Sequence, residues 1–256
     1  EEEDPETFVF RAESTYVWHL PFIDSILVEI GAWIGCNMPN LPLDSTASGL
    51  DWNGCAPAGC ANSLNWLKNQ HDEIDFDATH RESFEQLSNL MNRMHNEGAA
   101  PEDWIRAKLD FIEAHNLPIH VKYQSRFDRG NIKSTSGLSE ATDHDGDDNA
   151  WPTQEWMESE AAHGEDVELS VGFWYQDSLG NWHRTGGHVI ALTGIGKING
   201  QSFITYKHDA EQSDSTGVKQ EFSPIKIDTT DGSMELPGMA RPYRPVRGGR
   251  VYTRRA

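Results

Sequence analysis

Cys55 follows Asn53-Gly54 and leads into Ala56-Pro57-Ala58-Gly59-Cys60-Ala61-Asn62-Ser63-Leu64-Asn65-Trp66-Leu67, a layout of loop, thiol and helix. Pro57 suits a first helical turn, where its missing N–H is not needed. Ala61, Leu64, Trp66 and Leu67 have the spacing of a helix that packs one face. A thiol at that junction meets the exposed N–H groups and the positive end of the helix dipole, and both favour thiolate. Thiol attack on a carbonyl also needs a base and a group that orients the base. His188, behind Gly186-Gly187 and at the head of an apolar strand, is the base that this pattern offers, although it is one of 11 histidines and a core histidine at a strand start is the competing reading. Asp209 follows the next strand, where an antiparallel return brings a carboxylate beside His188 to accept its Nδ1–H; His208 is the alternative third residue.

The elements that must hold these groups read as helices first and an antiparallel sheet afterwards, an α+β pattern. Phe8 to Phe22 is aromatic and strand-like, and Ile23 to Ile34 is apolar without a deciding period. Thr79 and Glu82 have capping-box spacing ahead of Phe84, Leu87, Leu90, Met91 and Met94, with Gly98 as the stop. Pro101-Glu102-Asp103 opens a helix with Trp104, Ile105, Leu109 and Ile112 on its inner face. Ile119 to Tyr123 is a strand and Thr153 to Ala162 a short helix. Three strands follow, at 167–175, from Trp182 and at 188–193, and Phe203 to Lys207 returns antiparallel. Residues 1–50 read as an N-terminal extension (propeptide remnant, lid or ordinary structure), 51–228 as the main domain, and 229–256 as a Pro-, Gly- and Arg-rich covering tail.

The 256 residues carry 41 acidic and 21 basic side chains, a net charge of −20. That sign argues against nucleic acid as a partner and would steer basic or neutral peptides to the surface. No apolar run approaches the ~20 residues of a membrane-spanning helix. The opening Glu1-Glu2-Glu3-Asp4 reads as a mature or trimmed start. Three cysteines suggest one disulfide and one free thiol in an oxidising compartment; with Cys55 reserved for chemistry, the pair is Cys36 and Cys60, and the location is secreted or periplasmic. Asp143 to Asn149 has acidic residues at alternate positions, but Asp148 and Gln154 stand where a calcium loop needs Gly and Glu. The segment therefore reads as a solvated acidic loop, with calcium the lesser alternative and no other cofactor or metal expected.

Cys55-Ala56-Pro57 with Ala61-Asn62-Ser63-Leu64, then Gly187-His188-Val189-Ile190-Ala191-Leu192-Thr193-Gly194, then Asp209, resembles the papain-like cysteine peptidases, in particular the bacterial bacteriocin-leader-processing branch. The resemblance covers residues 51–212. It implies a helical lobe whose central helix starts at the Cys, an antiparallel sheet lobe, and a cleft between them. It also implies a Cys55–His188–Asp209 triad acting on a peptide or protein substrate. Relatives place a Gln about six residues before the Cys as an oxyanion donor; this chain has Gly49 there. Asn53 is the substitute, with Asn37 and Asn40 as others, and the Cys55 N–H supplies the second donor. Trp52, Trp182 and Gly187 are candidates to line the cleft, core packing being the other reading of the two tryptophans. A cysteine peptidase or amidase is the expected activity. An acyltransferase using the same thiol, or a binding module that kept the fold, are its alternatives.

Overall fold

Each helix starts where the sequence supplies a start signal. The computed structural model describes residues 7–19, 34–35, 45–46, 49–50, 53–94, 97–126, 130–144, 151–198, 200–207, 221–229, 232–237 and 239. Helix α1 (Cys55–Gln70) opens after Gly54, with Pro57 in its first turn. Helix α2 (His80–Leu90) has the full capping box: Thr79 Oγ1 accepts the Glu82 N–H and Glu82 accepts the Thr79 N–H at 2.8 Å. Helix α3 (Pro101–Ala114) has Pro at its start and Glu102 and Asp103 in its first turn, where negative charge is favoured. Thr153 caps α4 (Gln154–Ala162). Helix α2 ends before the expected stop at Gly98: Asn92 takes a positive φ of 49°, which Asn tolerates better than most residues, and Met94 is exposed.

The strands are β1 (Thr7–His19), β2 (Ile34–Gly35), β3 (Ser45–Thr46), β4 (Gly49–Leu50), β5 (His120–Ser125), β6 (Ile132–Lys133) and β7 (Glu140–Asp143). They continue with β8 (Asp166–Gln176), β9 (Trp182–Ile198), β10 (Gln201–Lys207), β11 (Glu221–Pro224), β12 (Lys226–Ile227) and β13 (Met234–Glu235). One sheet runs β11-β10-β9-β8-β1-β5-β7-β6, antiparallel except for the parallel β5–β7 pair. Two features depart from the sequence reading. The strands expected from Trp182 and at 188–193 are one strand of 17 residues, running unbroken through Gly186-Gly187 with a register shift near Thr185. Strand β1, inside the stretch expected as an extension, lies between β8 and β5, pairing with β8 from Thr7 to Trp18 and with β5 from Ser14 to His19, so this part of residues 1–50 belongs to the sheet.

Helices α1, α2 and α3 cover one face of the sheet and α4 the other. On β8, Asp166, Glu168 and Ser170 point towards α1, while Val167, Leu169 and Val171 point into the α4 side with Ile190, Leu192, Trp156 and Met157. Met234, Leu236 and Met239 are buried on that second face too. Helix α1 was expected to pack one face, yet Ala56 through Leu64 are all buried. The sheet lies on one side of it and α2 and α3 on the other, so its polar residues need internal partners. His80 Nε2 is 2.8 Å from Asn62 Oδ1, and burial lowers the His80 pKa to about 4, which keeps the ring neutral at pH 7.

An ionisable cluster lies where α1, α3 and β8 meet. Lys108 Nζ is 2.9 Å from Glu168 Oε2, both side chains fully buried, and the ammonium lies 4.7 Å from the Trp104 ring centroid. Asp166, two residues from Glu168 on the same strand face, is also buried, and its carboxyl faces Ser63. Burial first, and the Glu168 charge second, push the Asp166 pKa well above the usual carboxylate range.

Removing one member of a buried ion pair strands the other. Lys108→Met is expected to lower stability by about 3–5 kcal/mol, and Lys108→Met with Glu168→Leu to recover most of that, read by chemical denaturation. Asp166 gives the opposite pH signature from a salt-bridged carboxylate. Its folded pKa is raised, so the unfolded chain binds fewer protons above the ordinary carboxylate pKa, and stability falls as pH rises towards the folded value. Asp166→Asn should therefore be more stable than the parent at pH 7 to 8, with the gap closing towards pH 4 in parallel denaturation curves.

Candidate functional site

Cys55 is the first residue of α1, a half-buried thiol outside any disulfide of the described residues. Gly54 provides no side-chain cap, and the first turn holds no acidic residue. The helix end therefore presents its positive pole without a carboxylate of its own first turn, the environment that stabilises a thiolate. Asn53 lies in the turn just before, half-buried.

What brings this helix to the strand of His188 is a glycine. A Cβ placed on Gly59, one turn after Cys55, would sit 2.9 Å from Val189 Cγ1 and 3.7 Å from Glu168 Oε2. Only a residue without a side chain allows α1 to lie this close to β9. His188 is buried and pairs directly with Val171 across β8–β9. Strand alternation sends Val189 towards α1 and His188 to the face shared with Val171 and Ile190. The backbone segment is thus beside α1, while the imidazole leaves from the other side of the strand.

Gly187 is exposed, and its missing side chain makes room for the Arg184 guanidinium and the Val171 carbonyl, 3.3 Å from where a Cβ would be. Trp182 is half-buried at the start of β9, opposite Gln176. Asp209, His208, Trp52, Asn37, Asn40 and Cys36 lie outside the described residues.

The expected Cys36–Cys60 disulfide is not what the described residues show: Cys60 is a free thiol. It faces inward from α1, accepts the Trp104 indole N–H at 2.7 Å and points its own S–H at Glu168 Oε2, 3.5 Å away. Burial, then the Glu168 charge, raises the Cys60 pKa well above its ordinary value.

A cluster that the sequence reading missed lies on the α1 face of the sheet, beyond the helix start. The Arg126 guanidinium lies over the rings of Trp151 and Trp174, 4.5 and 4.9 Å from their centroids. Trp174 pairs directly with Arg184, which reaches over Gly187. Nothing in the spacing of positions 126, 151, 174 and 184 announces this, because it depends on strand order and register.

Elsewhere, a pocket of about 410 Å³ lies between His120, Lys122, Glu140, Asp143, His144 and Glu160. His144 stacks on Trp156 at 4.8 Å. Of the acidic loop considered for calcium, Asp143 and His144 are described and 145–150 are not. Among the described residues no group of three or more His, Cys, Asp or Glu is arranged to hold a metal ion, and no helix is long and apolar enough to cross a membrane. No family model, curated protein or solved structure matches the chain.

The two thiols should separate cleanly. Iodoacetamide is expected to modify Cys60 only when the protein is unfolded, at native pH values up to 9, while Cys55 reacts in the native state; peptide mapping with and without denaturant reads the difference.

Proposed function

We propose that the protein is a thiol-dependent peptidase or amidase of papain-like type, with Cys55 as nucleophile, His188 as base and then acid, and Asp209 as the group that orients His188. The reading is supported above all by the residues at the head of α1, a half-buried Cys55 that follows Gly54 and opens a helix with Pro57 in its first turn. The half-buried thiol at an uncapped helix start supports it further. In the reaction, the Cys55 sulfur attacks the carbonyl carbon of the peptide and His188 takes the thiol proton. The C–N bond breaks as His188 returns that proton to the leaving amine. Water then attacks the thioester, releasing the acid and restoring the thiol. The Cys55 N–H and the Asn53 side chain would donate to the oxyanion. With an amine in place of water the same residues perform acyl transfer.

A second reading is favoured by one observation, the departure of the His188 side chain from the strand face opposite to α1. On that reading His188 is a core residue and the chain is a peptide-binding module without turnover.

Alkylation separates the two. For an enzyme, iodoacetamide modifies Cys55 rapidly, with a midpoint well below the ordinary thiol pKa of about 8.5, and His188→Ala slows the reaction at pH 6.5 by at least about tenfold, in keeping with the usual weight of a general base. Cys55→Ala abolishes it and leaves the fold unchanged. For a binding module, Cys55 reacts at the rate of an ordinary thiol with or without His188.

A further inference from the structure

We propose that the cavity bounded by β5, β7 and α4 binds a small alkyl diamine, its two ammonium groups held by Glu160 and Glu140. The cavity, about 410 Å³, lies on the α4 face of the sheet, opposite to α1 and Cys55, so the inference stands apart from the thiol chemistry. Alternation on β5 sends Val121 into the core beneath α1, α2 and α3 and turns His120 and Lys122 to the α4 face. On the adjacent parallel β7, Ala141 pairs with Val121 and is buried in the same core, so Glu140 and Thr142 join His120 and Lys122. Helix α4 is tied across this face at its start, where Gln124 Oε1 accepts the Thr153 N–H at 2.8 Å. Near its end, Glu160 Oε2 lies 3.6 Å from Lys122 Nζ. The helix stops at Ala162, and the cavity opens one same-face step further along the strands, at the level of His120 and Glu140. His144, stacked on Trp156 of α4 at 4.8 Å, forms a flat side wall.

The class of ligand follows from the charges. Glu160 is the deep group, its side chain 10% exposed, whereas His120, Glu140 and Thr142 are exposed at the rim. At 3.6 Å the Lys122 ammonium offsets the Glu160 charge from beyond hydrogen-bond distance, so this buried carboxylate keeps acceptor positions for a donor that comes closer. Among the described residues no cation is paired with Glu140. With Asp143, the two glutamates outnumber Lys122, the one ammonium among the described lining residues. An anion is repelled there, and a metal ion finds no group of three ligands arranged for it among the described residues. An organic cation fits. One same-face step along a strand is about 7 Å, which separates Glu140 from the Lys122 level where Glu160 sits. Four methylenes, at about 1.2 Å per bond of an extended chain, set two ammonium groups ~6 Å apart, within reach of both carboxylates. The net charge of −20 draws cations to the whole surface; a buried carboxylate at the bottom of a cavity makes one place selective.

The test uses the full chain at pH 8 and constant ionic strength, with 1,4-diaminobutane and 1-aminobutane as probes. Isothermal titration calorimetry is expected to show one site for the diamine, at least about tenfold tighter than for the monoamine, the weight of one charge-assisted hydrogen bond. Calcium chloride at the same concentration should leave the diamine titration unchanged. Glu140→Gln, at the exposed rim, should keep the fold and bring the diamine down to the affinity of the monoamine. Glu160→Gln should weaken both amines; because it also takes the partner from Lys122, circular dichroism checks that it folds, and Glu140→Gln decides the matter if it does not. Equal binding of the two amines, or no binding of either, overturns the inference. So does displacement of the diamine by calcium, or a preference for the diamine that survives Glu140→Gln.

Discussion

The contact between Lys108 and Glu168 is the constraint on which the arrangement turns. Two full charges without solvent are tolerated only when each has the other at hydrogen-bonding distance, and here they come from different layers, α3 and β8. Cys60 of α1 completes the junction, between Trp104 and Glu168. A shift of α1 by one residue along the sheet would swing Cys60 out of this junction and bring a side chain into the space that Gly59 leaves open. Such a pair adds little stability over apolar packing, but it penalises every wrong register heavily. The position of Cys55 is therefore fixed from below, by groups that take no part in any reaction at the helix start.

Local signals were legible and long-range ones were not. Thr79 and Glu82, Pro101 and Thr153 announced three helix starts, because capping is settled within four residues. The apolar run at 188–193 and the return at 203–207 gave a correct antiparallel pair. The unbroken course of β9 was hidden by Gly186-Gly187, which reads as a break in sequence but here serves close packing against Phe173 and Arg184. Burial on all sides of α1 was hidden because Asn62 and Ser63 look like a solvent face until α2 and β8 close over them. Of the candidate site, the loop–thiol–helix layout at Cys55 was readable from residue types alone. The face from which His188 leaves its strand was not, since it depends on the register against Val171.

Charge is distributed against the average. Lys108 is sealed inside with the carboxyl groups of Glu168 and Asp166, and the Arg126 guanidinium lies over the rings of Trp151 and Trp174. On the α3 side, Glu113 accepts from Ser136 and Ser139, and the hydroxyls of Ser134, then Ser136 and Ser139, lower its pKa to about 2. Together with Asp110, which accepts from Thr135, it fastens the 134–139 turn to α3. Carboxylates here act as local acceptors that hold loops, and net charge says little about what any one face will recognise.

The place of β1 between β8 and β5 has a consequence for synthesis. Trp18 pairs with Asp166 and His19 with His120, so both neighbours are made long after β1 itself. At about 5–20 residues per second, β1 waits roughly 7 to 30 s on the ribosome before its second partner emerges. For that interval it is an unpaired 13-residue strand with both edges open, the state most prone to join another chain. The middle of the sheet thus cannot close until β8 has been made, and nascent-chain chaperones have their natural window there.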